Sequence, residues 1–523
     1  MRALGLLLTL LGSLSIFGEL KGIAFPTARW FFATSRQVPW LNLVHDGQKI
    51  PWFGWAAAGL LILAGLAMIL RSLTRGPLNP ITARRIRRFC EIKRGLYSLL
   101  LLLFLVALAM LDQTLVGKRA LAVRYQGEWK FPAFLPADLK NKDFGVTGPT
   151  AEAPADYRKL KRLFTKDSGN LVILPPVPFD PTGDTLPPRS RALEERDGLF
   201  YQGGGSKPYS GLVARYYDVD ASRMHLRYSM RKGQLSGPAD GWDENGQPVY
   251  SAEFSENKPL TEKFNGTGSK TTFLGQETSP LRAVKYHPAP PIPDSRNWLG
   301  TTSQGYDTLA YLYGGLQVNL KAALLFLPAV YLIGITLGMS MGYFGSWFDI
   351  VSQRLMEIFS NIPFLFVIII FSSMVPDQFK GLPIILTILI CFGWMGITSL
   401  MRTAAYRDRE RDYIAASRVL GAGTPRIIFR HLLPNTVAIL ITLVPFSLSG
   451  LVFALTSLDY LGFGLPPEYA TWGRLLNDGL SNLSAPWLVS SAFVALVSLL
   501  TLITFVGEAI REALDPKKFT YYR

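Results

Sequence analysis

Histidine and cysteine are scarce in this chain. Four histidines (His45, His225, His287, His431) and two cysteines (Cys90, Cys391) are spread over 523 residues. No group of them has metal-ligand spacing, so neither a zinc finger nor a common catalytic metal motif is present. Cys90 falls in a basic stretch and Cys391 in an apolar one, so no disulfide framework is expected in the long polar region between them. No Gly-x-x-x-x-Gly-Lys-Ser/Thr occurs, so the chain does not hydrolyse ATP by itself. The run Gly203-Gly204-Gly205-Ser206-Lys207 is a glycine-rich turn without that spacing. No Ser/His/Asp set offers a nucleophile. Acidic residues are also in the minority, 38 against 54 Lys and Arg, for a formal net charge of +16. Much of that excess lies in loops beside apolar runs, where it orients a membrane protein and does not call for nucleic acid.

Apolar residues are abundant, at 49% of the chain. A membrane-crossing helix needs about 20 mostly apolar residues. Eight candidates stand out: Ala3–Phe17, Trp52–Leu70, Leu96–Leu111, Leu320–Met341, Ile358–Met374, Leu382–Met401, Thr436–Thr456 and Trp487–Val506. The first is short, and an interfacial helix or a signal peptide competes with a span there, although no convincing small-x-small cleavage site follows. Between the second and third spans lie Arg71, Arg75, Arg84, Arg85, Arg87, Arg88, Lys93 and Arg94. That cluster fixes its loop in the cytoplasm. Alternation then puts both termini and residues 402–435 inside, and residues 116–313 outside, in the periplasm of a Gram-negative cell. The expected divisions are 1–76 (two N-terminal spans), 77–115 (basic loop and first core span), 116–313 (outer insert) and 314–523 (helical core).

The outer insert changes character along its length. Residues 125–188 are rich in Pro, Asp and Lys and read as irregular structure with short strands such as Leu171-Val172-Ile173-Leu174. Between 198 and 260 one pattern occurs twice, 26 residues apart: Tyr209-Ser210-Gly211 matches Leu235-Ser236-Gly237, Tyr216 matches Trp242, Tyr228 matches Phe254 and Lys232 matches Lys258. Asp243-Glu244-Asn245-Gly246 is a turn between aromatic strands. Two β-hairpin repeats are predicted, and they resemble MORN-type repeats. Two units are too few for a solenoid, so they must pack on the flanking segments. Their aromatic and basic residues, among them Arg215, Tyr217, Arg223 and Arg231, suit either a solvated sheet face or a binding surface.

The stretch from Tyr413 to Asn435 is polar, basic and short, between two long apolar spans. Gly421 and Gly423 end one helix. Thr424-Pro425 starts the next, with Thr424 as N-cap and Pro425 in the first turn. The result is a helix–turn–helix finger on the basic side of the membrane. An ordinary amphipathic loop would share its polarity but not its spacing.

This finger resembles the EAA loop of ABC-importer permeases, which docks into a groove on the ATPase subunit. Ala415, Ala416 and Ser417 take the first three places, Gly421 keeps the glycine, and His431, Leu433 and Pro434 close the motif. Ala415 replaces the usual Glu, so any ion pair from that place is missing. The spacing is similar to the dipeptide/oligopeptide/nickel branch of that family. Other motifs follow in the order of that branch. Asn297-Trp298-Leu299-Gly300-Thr301-Thr302-Ser303-Gln304-Gly305-Tyr306-Asp307 resembles its Leu-Gly-Thr-Asp-x-x-Gly-Arg-Asp elbow, with Thr302 and Tyr306 where Asp and Arg are common. Asp349, Arg354, Glu357 and Pro363 follow the fourth span, and Arg354 and Glu357 are spaced to pair on one helix face. The segment from Tyr460 to Trp472-Gly473 resembles the family's gate-side loop, and Gly507 to Asp515-Pro516 its closing signature. Leu78-Asn79-Pro80-Ile81 and Val123 to Trp129 extend the likeness to the second permease of Yej-type oligopeptide and microcin C importers.

The resemblance implies an all-α membrane protein with a six-helix type I importer core. Two extra N-terminal transmembrane helices and a large periplasmic insert with β-hairpin repeats would complete it. It also implies a bacterial inner-membrane location, a second permease subunit, ABC ATPase subunits that hold ATP and Mg, a periplasmic solute-binding protein and short peptides as cargo. No residue identifies a substrate-binding site. A membrane-anchored periplasmic sensor, with the β repeats as its binding module, is the alternative from another class.

Overall fold

The computed structural model describes residues 2–25, 30–32, 43–45, 48–74, 80–135, 138–148, 151–164, 169–186, 189–202, 207–217, 224–266, 269–275, 280–285, 287–291, 297–376 and 380–514. Gly203 to Ser206, Arg223, Leu78-Asn79 and Asp515-Pro516 lie outside the described residues. The chain divides into two compact units, one of residues 1–184, 293–299 and 306–523 and one of residues 185–292 and 300–305.

The first unit begins with helix α1 (Arg2–Lys21). A short hairpin, β1 (Leu43–His45) and β2 (Gln48–Ile50), leads to α2 (Trp52–Thr74). Small residues bring α1 and α2 together: a Cβ at Gly5 would stand 2.9 Å from the Gly65 carbonyl oxygen, and one at Gly12 would stand 2.8 Å from that of Ala58. Such backbone contact is how helices associate where no water drives them together. The Phe32 ring covers Gly54 and meets Trp55 edge-on at 5.3 Å. The arginine-rich loop folds as α3 (Pro80–Glu91) and leads into α4 (Lys93–Met110).

Beyond α4, strands β3 (Ala122–Tyr125), β4 (Glu128–Lys130) and β5 (Leu171–Ile173) make an antiparallel sheet in the order β4-β3-β5. Helix α5 (Tyr157–Leu163) is capped by Asp156, whose carboxylate accepts from the Arg158 and Lys159 amides. Val123, Phe144, Tyr157, Leu160 and Val172 form the core here. The proline-rich stretch is thus built on short strands, as its sequence suggests.

The second unit is an eight-stranded antiparallel sheet. Its strands are β6 (Arg189–Arg196), β7 (Leu199–Gln202), β8 (Gly211–Tyr216), β9 (Met224–Arg231), β10 (Gln234–Trp242), β11 (Pro248–Ser255), β12 (Lys258–Phe264) and β13 (Arg282–Lys285). They lie in the order β12-β11-β10-β9-β8-β13-β6-β7. The repeated segment supplies β8–β9 and β10–β11 as successive hairpins, and β13 flanks them by pairing with β8. Tyr228 and Phe254, the repeat-equivalent aromatics, touch edge-to-face at 5.9 Å. Three tight turns of this sheet have both central residues at positive φ, Asp197-Gly198, Lys232-Gly233 and Glu256-Asn257, which is the hairpin geometry that matches strand twist. Helix α6 (Lys270–Leu274) lays Phe273 against His225, Tyr250 and Phe264. The pairing register slips between Arg215 and Tyr216, so His225 is the extra residue of a bulge and turns towards Phe273.

The first unit resumes with α7 (Thr308–Phe344), α8 (Ser346–Asn361), α9 (Phe364–Met374), α10 (Leu382–Gly393) and α11 (Met395–Arg409). It continues with α12 (Asp412–Val419), α13 (Thr424–Arg426), a π-helical segment (Ile427–Leu432), α14 (Leu433–Tyr460), α15 (Trp472–Ser481) and α16 (Pro486–Leu514). Among the described residues six helical stretches are long and apolar enough to cross a membrane: α2, α4, α7, α10–α11, α13–α14 and α16. A seventh arises if α8 and α9 count as one span, but these are bent by 72°. The single straight span expected over Ile358–Met374 is therefore corrected to a sharply bent pair, the form of a broken span or a re-entrant loop. Pro363 drives Ile362 into extended backbone (ψ 120°) and has no N–H to continue the helix. Helix α1 is not among the six.

Close approaches fix the core. Gly334, Gly338 and Gly342 line the α7 face that receives Ile397, Met401 and Ala405 of α11. Gly95 of α4 faces Ala509 of α16, where any Cβ would collide. Lys321 on α7 places its ammonium 4.6 Å from the Trp30 ring centre, which ties the N-terminal segment to the helical core.

Candidate functional site

The finger is formed by α12, its turn, α13 and the π segment. Helix α12 ends in a Schellman motif: the Ala422 amide donates to the Ser417 carbonyl at 3.0 Å and the Gly421 amide to that of Arg418 at 2.9 Å. Gly421 sits at φ +78° with no neighbour near its missing Cβ, so backbone conformation alone demands glycine there. The following helix is capped by Gly423, with Thr424 already helical and no side-chain cap. This corrects the N-cap expected at Thr424 by one residue; Pro425 keeps its place in the first turn.

The finger has a buried rear and a bare tip. Ile414 and Ser417 are buried behind it, with Ile427 and Leu432. Ala415, Ala416, Gly421 and Pro425 are exposed. At the tip Val419 is 89% and Leu420 87% exposed. Two large aliphatic side chains thus stand uncovered side by side at the apex of the turn. Their place in the motif had not drawn notice in the sequence, because an apolar residue in a short amphipathic helix does not reveal which way it faces.

Three contacts hold the finger to α14 and α7. Asn435 donates from Nδ2 to the Tyr413 hydroxyl at 2.7 Å and to the His431 carbonyl at 3.1 Å. The Arg418 guanidinium lies 5.0 Å from the Tyr343 ring centre. The π segment has a local cause. Pro434 has no N–H for the Arg430 carbonyl, and the Leu433 amide reaches back five residues to Ile428.

Behind the finger, Asp349 is buried near the start of α8. Both its oxygens take hydrogen bonds from Arg402, at 2.6 Å from Nη2 and from Nε on the other, and Tyr406 donates its hydroxyl at 2.6 Å. Asp349 thus joins α8 to α11 across 53 residues of sequence, a pairing that no local spacing announces. Arg354 and Glu357 do pair, at 2.5 Å, but on an exposed face. Pro363 stands at the α8/α9 break. Asp408 gathers Arg407 at 3.0 Å and Arg411 at 3.1 Å at the root of the finger.

The elbow motif splits between the units. In the second unit Gly300 and Gly305 adopt φ +73° and +86°. Thr301 meets His287 Nδ1 at 2.7 Å and accepts from the Ala289 amide at 2.8 Å. In the first unit Asp307 caps α7, accepting from the Ala310 amide at 2.8 Å and from Asn297 at 2.8 Å. The gate-side loop is a further cluster. Trp472 donates to the Leu312 carbonyl at 2.9 Å, and Gly473 lies where a Cβ would strike the Thr456 carbonyl. Asp459 accepts from the Leu465 amide at 2.6 Å, and Arg474 reaches the Pro466 and Tyr469 carbonyls at 3.2 Å. Near the C-terminus, Glu508 and Glu512 face Arg94 at 3.8 and 3.5 Å, so the closing motif anchors α4. No group of His, Cys, Asp and Glu among the described residues is placed to hold a metal ion.

Comparison with known proteins bears on these motifs. Residues 334–520 match the family described as binding-protein-dependent transport system inner membrane component. A peptidoglycan transport system permease protein, YejE, of Agrobacterium fabrum is 41% identical over 222 residues, 42% of this chain and 58% of that protein. The inner membrane ABC transporter permease protein YejE of Escherichia coli is 30% identical over 441 residues, 84% of this chain and 98% of that protein. The dipeptide transport system permease protein DppC of Bacillus subtilis is 30% identical over 247 residues, 47% of this chain and 76% of that protein.

Proposed function

Because this chain belongs to the family of binding-protein-dependent transport system inner membrane components, we propose that it is the permease subunit of an ATP-driven peptide importer of the Yej type. The observation that carries this reading is the finger: an apolar tip at Val419 and Leu420, a glycine-locked turn, and a stiff connection into a span. From Thr424 to Tyr460 the helix runs on through its π segment for 37 residues, about 55 Å at 1.5 Å per residue. A push at the tip is therefore delivered as a tilt of α14 and not absorbed by a loop.

In this scheme ATP and Mg²⁺ sit on separate ATPase subunits. Their closure moves the finger, and the helices alternate between outward- and inward-open arrangements. The Asp349–Arg402–Tyr406 cluster makes α8 and α11 follow the finger together. A second, related permease completes the pathway, and a periplasmic binding protein delivers peptides to the gate-side loop. Both termini lie in the cytoplasm and eight segments cross the membrane, α1 included; the small-residue seam between α1 and α2 supports a helix pair in lipid. The three- and eight-stranded sheets stand outside, a reading supported by the arginine-rich α3 as the inner-side segment.

The test is affinity purification of the tagged full-length chain from its own membranes. A P-loop ATPase and a second permease co-purify in stoichiometric amounts, and a strain lacking the chain loses uptake of labelled oligopeptides. A chain that purifies alone from a strain with unchanged peptide uptake would sink the proposal.

A further inference from the structure

A cavity of about 460 Å³ opens in the helical core beside the α8/α9 break. This is within the roughly 300–1,000 Å³ typical of small-ligand sites. Its apolar wall is aromatic. The Phe392 ring lies between Phe359 and Phe364, edge-on to both at 6.0 and 5.6 Å between centres. Phe326 closes in against Gly393, whose missing Cβ would lie 2.8 Å from the ring. Ser447 supplies a hydroxyl on the α14 side. None of the lining side chains is ionisable.

The break adds polar backbone to this apolar wall. Ser360, Ile362 and Phe364, on both sides of it, line the cavity. Non-helical backbone at membrane depth persists only where protein covers it or where it borders a water-filled space. At the break the Ile362 amide turns back to the Phe359 carbonyl at 3.3 Å, and the Pro363 carbonyl accepts from the Phe366 and Val367 amides at 3.0 and 3.4 Å. Two other walls carry prolines within continuous helices, Pro328 on α7 and Pro445 on α14. A broken helix beside a cavity is an arrangement that membrane transporters use to hold a solute in passage.

Building on the peptide-importer reading, we propose that this cavity is a side-chain pocket for the peptide in transit. It takes one large apolar or aromatic side chain, which the Phe359, Phe364 and Phe392 rings would enclose. A cavity without charge suits a side chain from within the peptide and not its charged ends.

Gly450 gives a clean test, because it lines the cavity and no atom lies within 4 Å of where its Cβ would stand. The assembled importer (this chain, its partner permease, ATPases and binding protein) is reconstituted in proteoliposomes. Uptake of Ala-Phe-Ala and of Ala-Ala-Ala is measured for the unaltered chain, Gly450→Ala and Gly450→Leu. Gly450→Leu is expected to slow Ala-Phe-Ala by about ten-fold or more, the scale on which a pocket discriminates by size. Ala-Ala-Ala uptake and ATPase activity stay within about two-fold, and Gly450→Ala stays near the unaltered chain for both peptides. An equal fall for both peptides with Gly450→Leu, or no fall for either, overturns the pocket. If Gly450→Leu does not assemble, protection of a photoreactive Phe analogue in Ala-Phe-Ala decides: cross-links that avoid Phe359, Phe364 and Phe392 overturn it equally. Failure of the unaltered importer to carry either peptide, with ATPase activity intact, instead overturns the peptide reading.

Discussion

Leu420→Ala isolates the finger's docking energy from the stability of the fold. Leu420 is 87% exposed in the chain alone, so its truncation removes almost no internal packing. If the tip sits in an ATPase groove, the change deletes apolar atoms that are buried only in the complex. At about 0.8 kcal/mol per buried carbon, with part of the gain lost to imperfect packing, the cost is about 1.5–2.5 kcal/mol. That is roughly a 10- to 70-fold weaker complex. The assay is ATPase binding to the permease pair in nanodiscs, read by interferometry, beside a thermal melt of the same sample. Leu483→Ala is the control: Leu483 is 77% exposed but lies in the loop between α15 and α16, at the other end of the helices from the finger. The expected pattern is a weakened complex for Leu420→Ala only, with all melts unchanged. Unchanged ATPase affinity for Leu420→Ala, or an equal loss for Leu483→Ala, would refute the reasoning.

Three further outcomes follow from other contacts. Asp349→Asn leaves Arg402 facing a neutral group and costs about 2–3 kcal/mol, less than the 3–5 of a fully buried pair because the Arg402 side chain is 30% exposed; a lowered melting temperature of the solubilised chain reads it. Trp30→Ala uncovers the Lys321 ammonium and loses about 1–2 kcal/mol of contact between the N-terminal segment and the core, so limited proteolysis should release residues 1–50 sooner. Burial holds the His225 imidazole below its ordinary range, assisted by Arg215 and opposed by a backbone contact at Phe273. The unfolded chain then binds the proton more readily than the folded one. The contribution is complete above the ordinary histidine pKa of about 6.5 and declines as pH falls from there towards the lower folded value. Protection factors in β9 and β10, taken relative to the intrinsic exchange rate at each pH, should be lower at pH 5 than at pH 7.5, and His225→Phe should remove the difference.

Local signals in the sequence carried far. Six of the eight expected spans coincide with helices long and apolar enough to cross a membrane, and the finger followed from Gly421, Pro425 and Leu433-Pro434, because helix ends and turns are set by residues a few places apart. The β repeats were legible because a hairpin repeats its own aromatic spacing. What stayed hidden depends on residues distant in sequence or on direction. Asp349 meets Arg402, Asp459 and Arg474 knit the gate-side loop, and Arg94 finds Glu508 and Glu512, all through tertiary packing. The break at Pro363 was visible as a proline, but a proline alone tells neither the 72° bend nor which distant residues line the cavity beside it. The π segment is similar: Pro434 announces a missing donor, not how the helix will absorb it.

The most direct measurement places a photo-cross-linking amino acid at position 419 in the intact membrane. Irradiation should capture the P-loop ATPase subunit, and capture should vary with the nucleotide supplied. Capture of a periplasmic protein there, or labelling of position 419 by a membrane-impermeant reagent added outside sealed cells, would contradict the account.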